Sequence, residues 1–225
     1  MPFHLHPPRD RKLFRLVKEA STSTVVKGRA LYGAGDAADT VYLVRRGYMR
    51  LVLPGMERGA RERTVAVAMP WELFGDEAFT GGHRRYGAIA GSRCEVQPLL
   101  PKAVMSGLKT AKLSLDAYLQ GQEQELYRLR HAAGGSNGPN VAQRLAEVLL
   151  DLGVRSGEPD GRGIELTERL THQVLADLAG AHRATVTTLL NDWLYEGILA
   201  STEDHRLVLR RPGDLWVLAG YEIGE

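Results

Sequence analysis

The stretch LTHQVLADLAGAHRATVTTLLNDWLYEGIL, residues 170–199, gathers polar side chains where a second apolar-periodic run begins. His182, Arg183, Thr185 and Thr188 share one side of that run, away from Val186, Leu189, Leu190, Trp193 and Leu194. Arg183 carries a planar guanidinium fork that matches guanine O6 and N7 in a bidentate hydrogen bond. His172 and Gln173 open the preceding run of Leu170, Val174, Leu175 and Leu178, where side chains can meet phosphate oxygens. Further on, GILASTEDHRLVLRR reads as a hairpin with His205 and Arg206 near its tip.

The elements that must hold these groups follow from periodicity. Two amphipathic helices joined by a turn at Gly180 make a helix-turn-helix, whose second helix enters the major groove of DNA. Thr171 is a candidate N-cap, accepting a hydrogen bond from a free backbone N–H. Val174, Leu178, Val186 and Leu190 are the expected inter-helix core, and the hairpin would be a wing. The same pattern also fits an ordinary helical hairpin with a solvated polar face. Charge argues against DNA: from Asn140 onward there are 8 Lys and Arg against 14 Asp and Glu, a net of −6. Any positive face must be local, on Arg169, Arg183, Arg206, Arg210 and Arg211.

Upstream, residues from about Val25 to Leu100 alternate in short runs such as TVYLVRRGYMRLVL and RTVAVAM, separated by glycine turns. That spacing predicts an antiparallel barrel or sandwich. From Pro101 to Ala133 the pattern is helical. Leu115, Leu119, Gln122, Leu126, Leu129 and Ala133 step by four and three, a heptad seam for a two-stranded coiled coil, with Gly121 as a local weakness. GGSNGPN, residues 134–140, breaks the pattern as a hinge. A helix from about Val141 to Leu152 follows.

Composition narrows the chemistry. The chain has 225 residues, 44% of them hydrophobic, and a net charge of +2. Its single cysteine, Cys94, excludes an internal disulfide, a CxxC redox site and a four-cysteine metal or iron–sulfur site. By residue type alone, His83 and Cys94 are candidate haem ligands, but a surface histidine and a buried small hydrophobe are the better readings. No run of 18 apolar residues exists and the N-terminus lacks a signal-peptide pattern, so no membrane association is expected. No nucleophile–base pair or metal cluster stands out, so no enzyme activity, cofactor or metal is expected.

The order of these parts resembles the CRP/FNR family of bacterial transcription regulators, over nearly the whole chain. KGRALYGAGDAADTVYLVRRGYMRL looks like the family's cyclic-nucleotide-binding signature, with Gly28, Leu31, Gly35, Asp36, Ala38, Tyr42, Val44, Gly47 and Arg50 matching. WELFGDEAFTGGHRRYGAIA looks like its phosphate-binding cassette, and residues 170–199 look like its DNA-reading motif. The resemblance implies an α+β chain: an antiparallel β-roll over 1–100, a dimerisation helix over 101–135 and a winged helix-turn-helix over 136–225.

It also implies site residues. Thr171, His172, Gln173, His182, Arg183, Thr185, Thr188 and Arg206 would contact DNA. Leu115, Leu119, Gln122, Leu126 and Leu129 would form the dimer interface. Gly75, Asp76, Glu77, Arg85 and Tyr86 would form a degenerate effector site, with Arg85 on the phosphate or paired with Asp76 or Glu77. Two departures stand out. Tyr86 occupies the place of a small hydroxyl residue, and no Ser or Thr falls between Ser114 and Ser136, where the family reaches the adenine. On the reading helix Ala184 replaces a carboxylate, and only one guanine-reading arginine is kept. The expected protein is a cytoplasmic homodimer on palindromic double-stranded DNA, activating through RNA polymerase without cAMP. The alternative is an effector-gated regulator whose roll binds a cyclic nucleotide or another small ligand.

Overall fold

A computed structural model of the chain describes residues 21–55, 61–110 and 139–221. The dimer-seam residues Leu115, Leu119, Gln122, Leu126 and Leu129 lie outside the described residues, as does most of the GGSNGPN segment. The chain divides into two compact units, Met1–Leu126 and Tyr127–Glu225.

The first unit is a roll of two four-stranded antiparallel sheets. Its strands are β1 Ser23–Val25, β2 Ala30–Tyr32, β3 Val41–Arg46, β4 Met49–Leu53, β5 Arg63–Ala68, β6 Leu73–Phe74, β7 Gly87–Ala90 and β8 Cys94–Leu99. One sheet runs β1-β8-β3-β6 and the other β2-β7-β4-β5. The sequence alternation fills the interior with Val41, Leu43, Met49, Leu51, Ala66 and Val96. Register shifts after Val44 and after Leu51 break the strict period of two. These irregularities bury consecutive residues, Leu43 with Val44 and Leu51 with Val52, and bend the strands around the core. Helix α1, Pro101–Thr110, begins with proline at its first position, where no amide partner is needed.

In the second unit, helix α2 spans Val141–Ser156, one turn beyond the expected end. Asn140 and Gln143 form a reciprocal capping box at its start. Arg155 pairs with Asp151 at 2.9 Å and the Ser156 hydroxyl donates to the Leu152 carbonyl, which carries the helix through its last turn. Three elements escaped the sequence pattern. Strands β9 Gly157–Pro159 and β10 Ile164–Leu166 are too short to show a period, and α5 Pro212–Leu218 has only seven residues. The expected hairpin is present as β11 Leu199–Ser201 and β12 Leu207–Leu209, within a sheet ordered β11-β12-β10-β9.

Candidate functional site

Helices α3 His172–Leu178 and α4 Arg183–Tyr195 form the helix pair of the second unit. Thr171 caps α3 as expected, its hydroxyl oxygen accepting from the Val174 amide at 3.2 Å. The turn between the helices is a Schellman arrangement. The Ala181 amide donates to Ala176 O and the Gly180 amide to Asp177 O, with Gly180 at φ 60. That positive φ explains glycine here. Arg144, which the sequence reading missed, bolts the turn to α2: its Nε donates to Ala179 O at 2.8 Å and its Nη2 to Gly180 O at 3.3 Å. The packed face is formed by Val174, Leu175, Val186, Leu190 and Trp193. Leu178 is only half-buried, and Leu175 and Ala179 take the core place expected for it.

On the opposite face of α4, His182, Arg183, Ala184, Thr185 and Thr188 are exposed. His182 is the N-cap residue, yet its side chain makes no capping bond. The Thr188 hydroxyl donates back to the Ala184 carbonyl at 3.2 Å. His172 is drawn toward α4, its Nδ1 lying 2.9 Å from Thr187 Oγ. Burial, with a smaller contribution from the Arg183 charge, holds the His172 imidazole below its usual titration range, so the ring is neutral at pH 7. Gln173 is engaged along its own helix, its amide nitrogen 2.9 Å from an Asp177 carboxylate oxygen.

The wing arginine differs from the expectation. Arg206 pairs with Glu165 of β10 at 2.8 Å and with Asp204 of the hairpin turn at 3.5 Å, so it lies half-buried against carboxylates rather than as a free cation for phosphate. Arg211 likewise pairs with Asp214 and donates to Glu196 O. Among the described residues of this unit, Arg169, Arg183 and Arg210 are exposed arginines without a carboxylate partner. This pairing leaves the net charge from Asn140 onward at −6 and ties up four arginines, Arg155, Arg162, Arg206 and Arg211, so α4 carries one of the three exposed cations left open.

The cassette of the roll corrects a second expectation. Gly75 opens it at φ 80, and the short 3₁₀ turn Asp76–Phe79 follows. A Cβ on Gly75 would stand 2.6 Å from Arg84 Nη1, so only glycine fits beneath that side chain. The inward arginine is Arg84, whose side chain is 1% exposed; Arg85 is exposed. Arg84 donates from Nη1 to Gly75 O at 2.9 Å and from Nη2 to Thr40 O at 2.6 Å. Its Nη1 also lies 3.7 Å from Glu77 Oε2, and the guanidinium sits 4.3 Å over the Tyr32 ring. Tyr32 stacks in turn on Tyr42 and Phe74, and burial pushes the Tyr32 hydroxyl up against the lowering effect of Arg84. Arg85 touches the acidic turn only through its backbone amide, which donates to Glu77 Oε1. Tyr86 is half-buried against the roll core. His83 is bonded to Gly35 O, and Cys94 is buried with its thiol on Tyr48 O.

The family model of the cyclic nucleotide-binding domain matches residues 23–106, and that of the Crp-like helix-turn-helix domain matches residues 143–217. A global nitrogen regulator of Synechocystis sp. is 28% identical over 193 residues, 84% of each chain. A CRP-like cAMP-activated global transcriptional regulator of Mycobacterium tuberculosis is 24% identical over 183 residues, 81% of each chain. The crystal structure of a CRP-family transcriptional regulator from Thermus thermophilus superposes with a TM-score of 0.62 at 25% identity, covering 90% of this chain and 98% of that one. No described helix is long and apolar enough to cross a membrane. With its roll matched by one model, its helix pair by the other, and relatives spanning both units, the chain belongs to the CRP/FNR family of transcription regulators.

Proposed function

We propose that this regulator is a cytoplasmic homodimer that binds a palindromic promoter site with sequence specificity and activates transcription through contact with RNA polymerase, without cAMP. Members of the family bind double-stranded DNA and act as dimers. The relatives are transcription regulators rather than enzymes. The observation that carries the reading is the exposed face of α4, where the Arg183 fork stands without a carboxylate partner beside Ala184, Thr185 and Thr188. Independence from cAMP is supported by the cassette. Its buried cation is already engaged by two carbonyls of the chain and by Glu77, and Tyr86 replaces a small hydroxyl residue.

One observation favours effector gating as the second reading: Arg84 Nε is buried without a hydrogen-bond partner, an N–H that an anion could satisfy. Selection of binding sites from random duplexes by the full-length chain, with and without cAMP, tests both. A palindrome with half-sites about one helical turn apart, recovered equally in both arms, is the expected result. Truncation of Arg183 to Ala should cost about 1–3 kcal/mol and relax preference at one guanine per half-site. Recovery of sequences only when cAMP is present would favour the second reading, and unchanged affinity and preference with Arg183→Ala would remove α4 from the interface.

A further inference from the structure

On the exposed face of α4, Ala184 and Thr188 offer little that can hydrogen-bond to a base. Ala184 and Thr188 are one turn apart, so their side chains lie on one stripe. Ala184 presents only its Cβ. Thr188 has a hydroxyl, but that group donates to the Ala184 carbonyl at 3.2 Å. The bond turns Oγ back against the helix, which leaves the γ-methyl as the outward part of a side chain with few rotamers. The stripe is therefore two methyl groups, both exposed, immediately following the guanidinium of Arg183.

A methyl pressed against a major groove distinguishes base pairs in one direction. The thymine C5-methyl gains an apolar contact, whereas cytosine N4 or adenine N6 would lose water and receive no acceptor in return. We propose that Ala184 and Thr188 are specificity-determining residues that read thymine through its C5-methyl, in base pairs neighbouring the guanine read by Arg183. The proposal rests on the reading that α4 enters the major groove. It adds that two positions of each half-site are read by shape and apolar contact rather than by hydrogen bonds.

The test uses the full-length chain and its selected operator. Thymines of each half-site are replaced one at a time by deoxyuridine, which removes the C5-methyl and keeps every base-pairing group. At two positions per half-site the affinity should fall about four-fold, the effect of one buried methyl-sized group. In Thr188→Ser, which keeps the hydroxyl bond and loses the methyl, the thymine-to-uracil ratio at one of those positions should fall to unity. In Ala184→Gly the ratio at the other should do the same; taking the ratio within each variant cancels any loss of helix stability. Equal affinity for thymine and uracil at every position, or ratios unchanged in both variants, would overturn the proposal. Arg183→Ala separates the two levels: if it relaxes a guanine while uracil is tolerated everywhere, the methyl readout alone fails. If Arg183→Ala also leaves base preference unchanged, the groove placement of α4 fails with it.

Discussion

Arg84 Nη1 donates to the Gly75 carbonyl at 2.9 Å, joining the closing end of the cassette to its opening glycine. With the second bond to Thr40 O and the ion pair to Glu77, this guanidinium cross-links three segments of the roll. Its removal takes a donor from two carbonyls and the countercharge from a largely buried carboxylate. Arg84→Met should therefore destabilise the roll by about 2–4 kcal/mol. The neighbouring Arg85→Met, at an exposed position, should stay within about 0.5 kcal/mol. Hydrogen-exchange protection of the β3 and β8 amides reads the roll separately from the other unit. Equal effects of the two substitutions would mean that the inward cation does not hold the cassette.

The same cross-link bears on cAMP. A cyclic phosphate would have to take Arg84 from Gly75, Thr40 and Glu77, and the ligand would also have to accommodate the Tyr86 ring. Calorimetry on the full-length chain should give no saturable heat with cAMP at physiological concentration, and operator affinity should not change on its addition. A micromolar dissociation constant, lost in Arg84→Met, would reverse this expectation and make the orphan Arg84 Nε the ligand's donor.

How far these groups were legible in the sequence differs from one to the next. Thr171 was readable as a cap because Ser and Thr before an apolar-periodic run have few other roles there. The choice between Arg84 and Arg85 was not legible in the sequence, because the chain bends at residues 85 and 86 before β7 begins at Gly87, so the two-residue period of the strand does not extend to the arginines. The ion pair of Arg206 was hidden for a different reason. Its partner Glu165 lies on β10, a three-residue strand with no periodicity to announce it. Arg144 was invisible for the same kind of reason, because its acceptors are backbone carbonyls 35 and 36 residues away.

The heptad at Leu115, Leu119, Gln122, Leu126 and Leu129 gives a separate expectation for assembly. Two apolar seam positions replaced by lysine would bury like charges against each other in a parallel pair. Leu119→Lys combined with Leu126→Lys should yield monomers in sedimentation velocity. Operator affinity should fall roughly tenfold or more, because the second half-site is no longer held at high effective concentration. A variant that still sediments as a dimer would show that another surface joins the subunits.

His172 supplies the pH dependence. In the free protein its ring is held below the usual range by burial and by Arg183 on the facing helix, with Nδ1 against Thr187. The unfolded chain then binds more protons than the folded one between the lowered folded value and the ordinary value near 6.5. Stability from this group is complete above that ordinary value and is lost as pH falls through the lowered one. If Nδ1 accepts the Thr187 proton, Nε2 carries the N–H and is the atom that can meet a phosphate. A phosphate there favours the charged ring, so DNA should raise the His172 pKa and bring proton uptake on binding. Affinity for all sequences should accordingly rise as pH falls toward 6, and His172→Gln should flatten that rise without altering base preference. Titration of the ring by NMR with and without duplex checks both signs. A midpoint that is ordinary in the free protein, or that does not move on binding, would detach His172 from the DNA backbone.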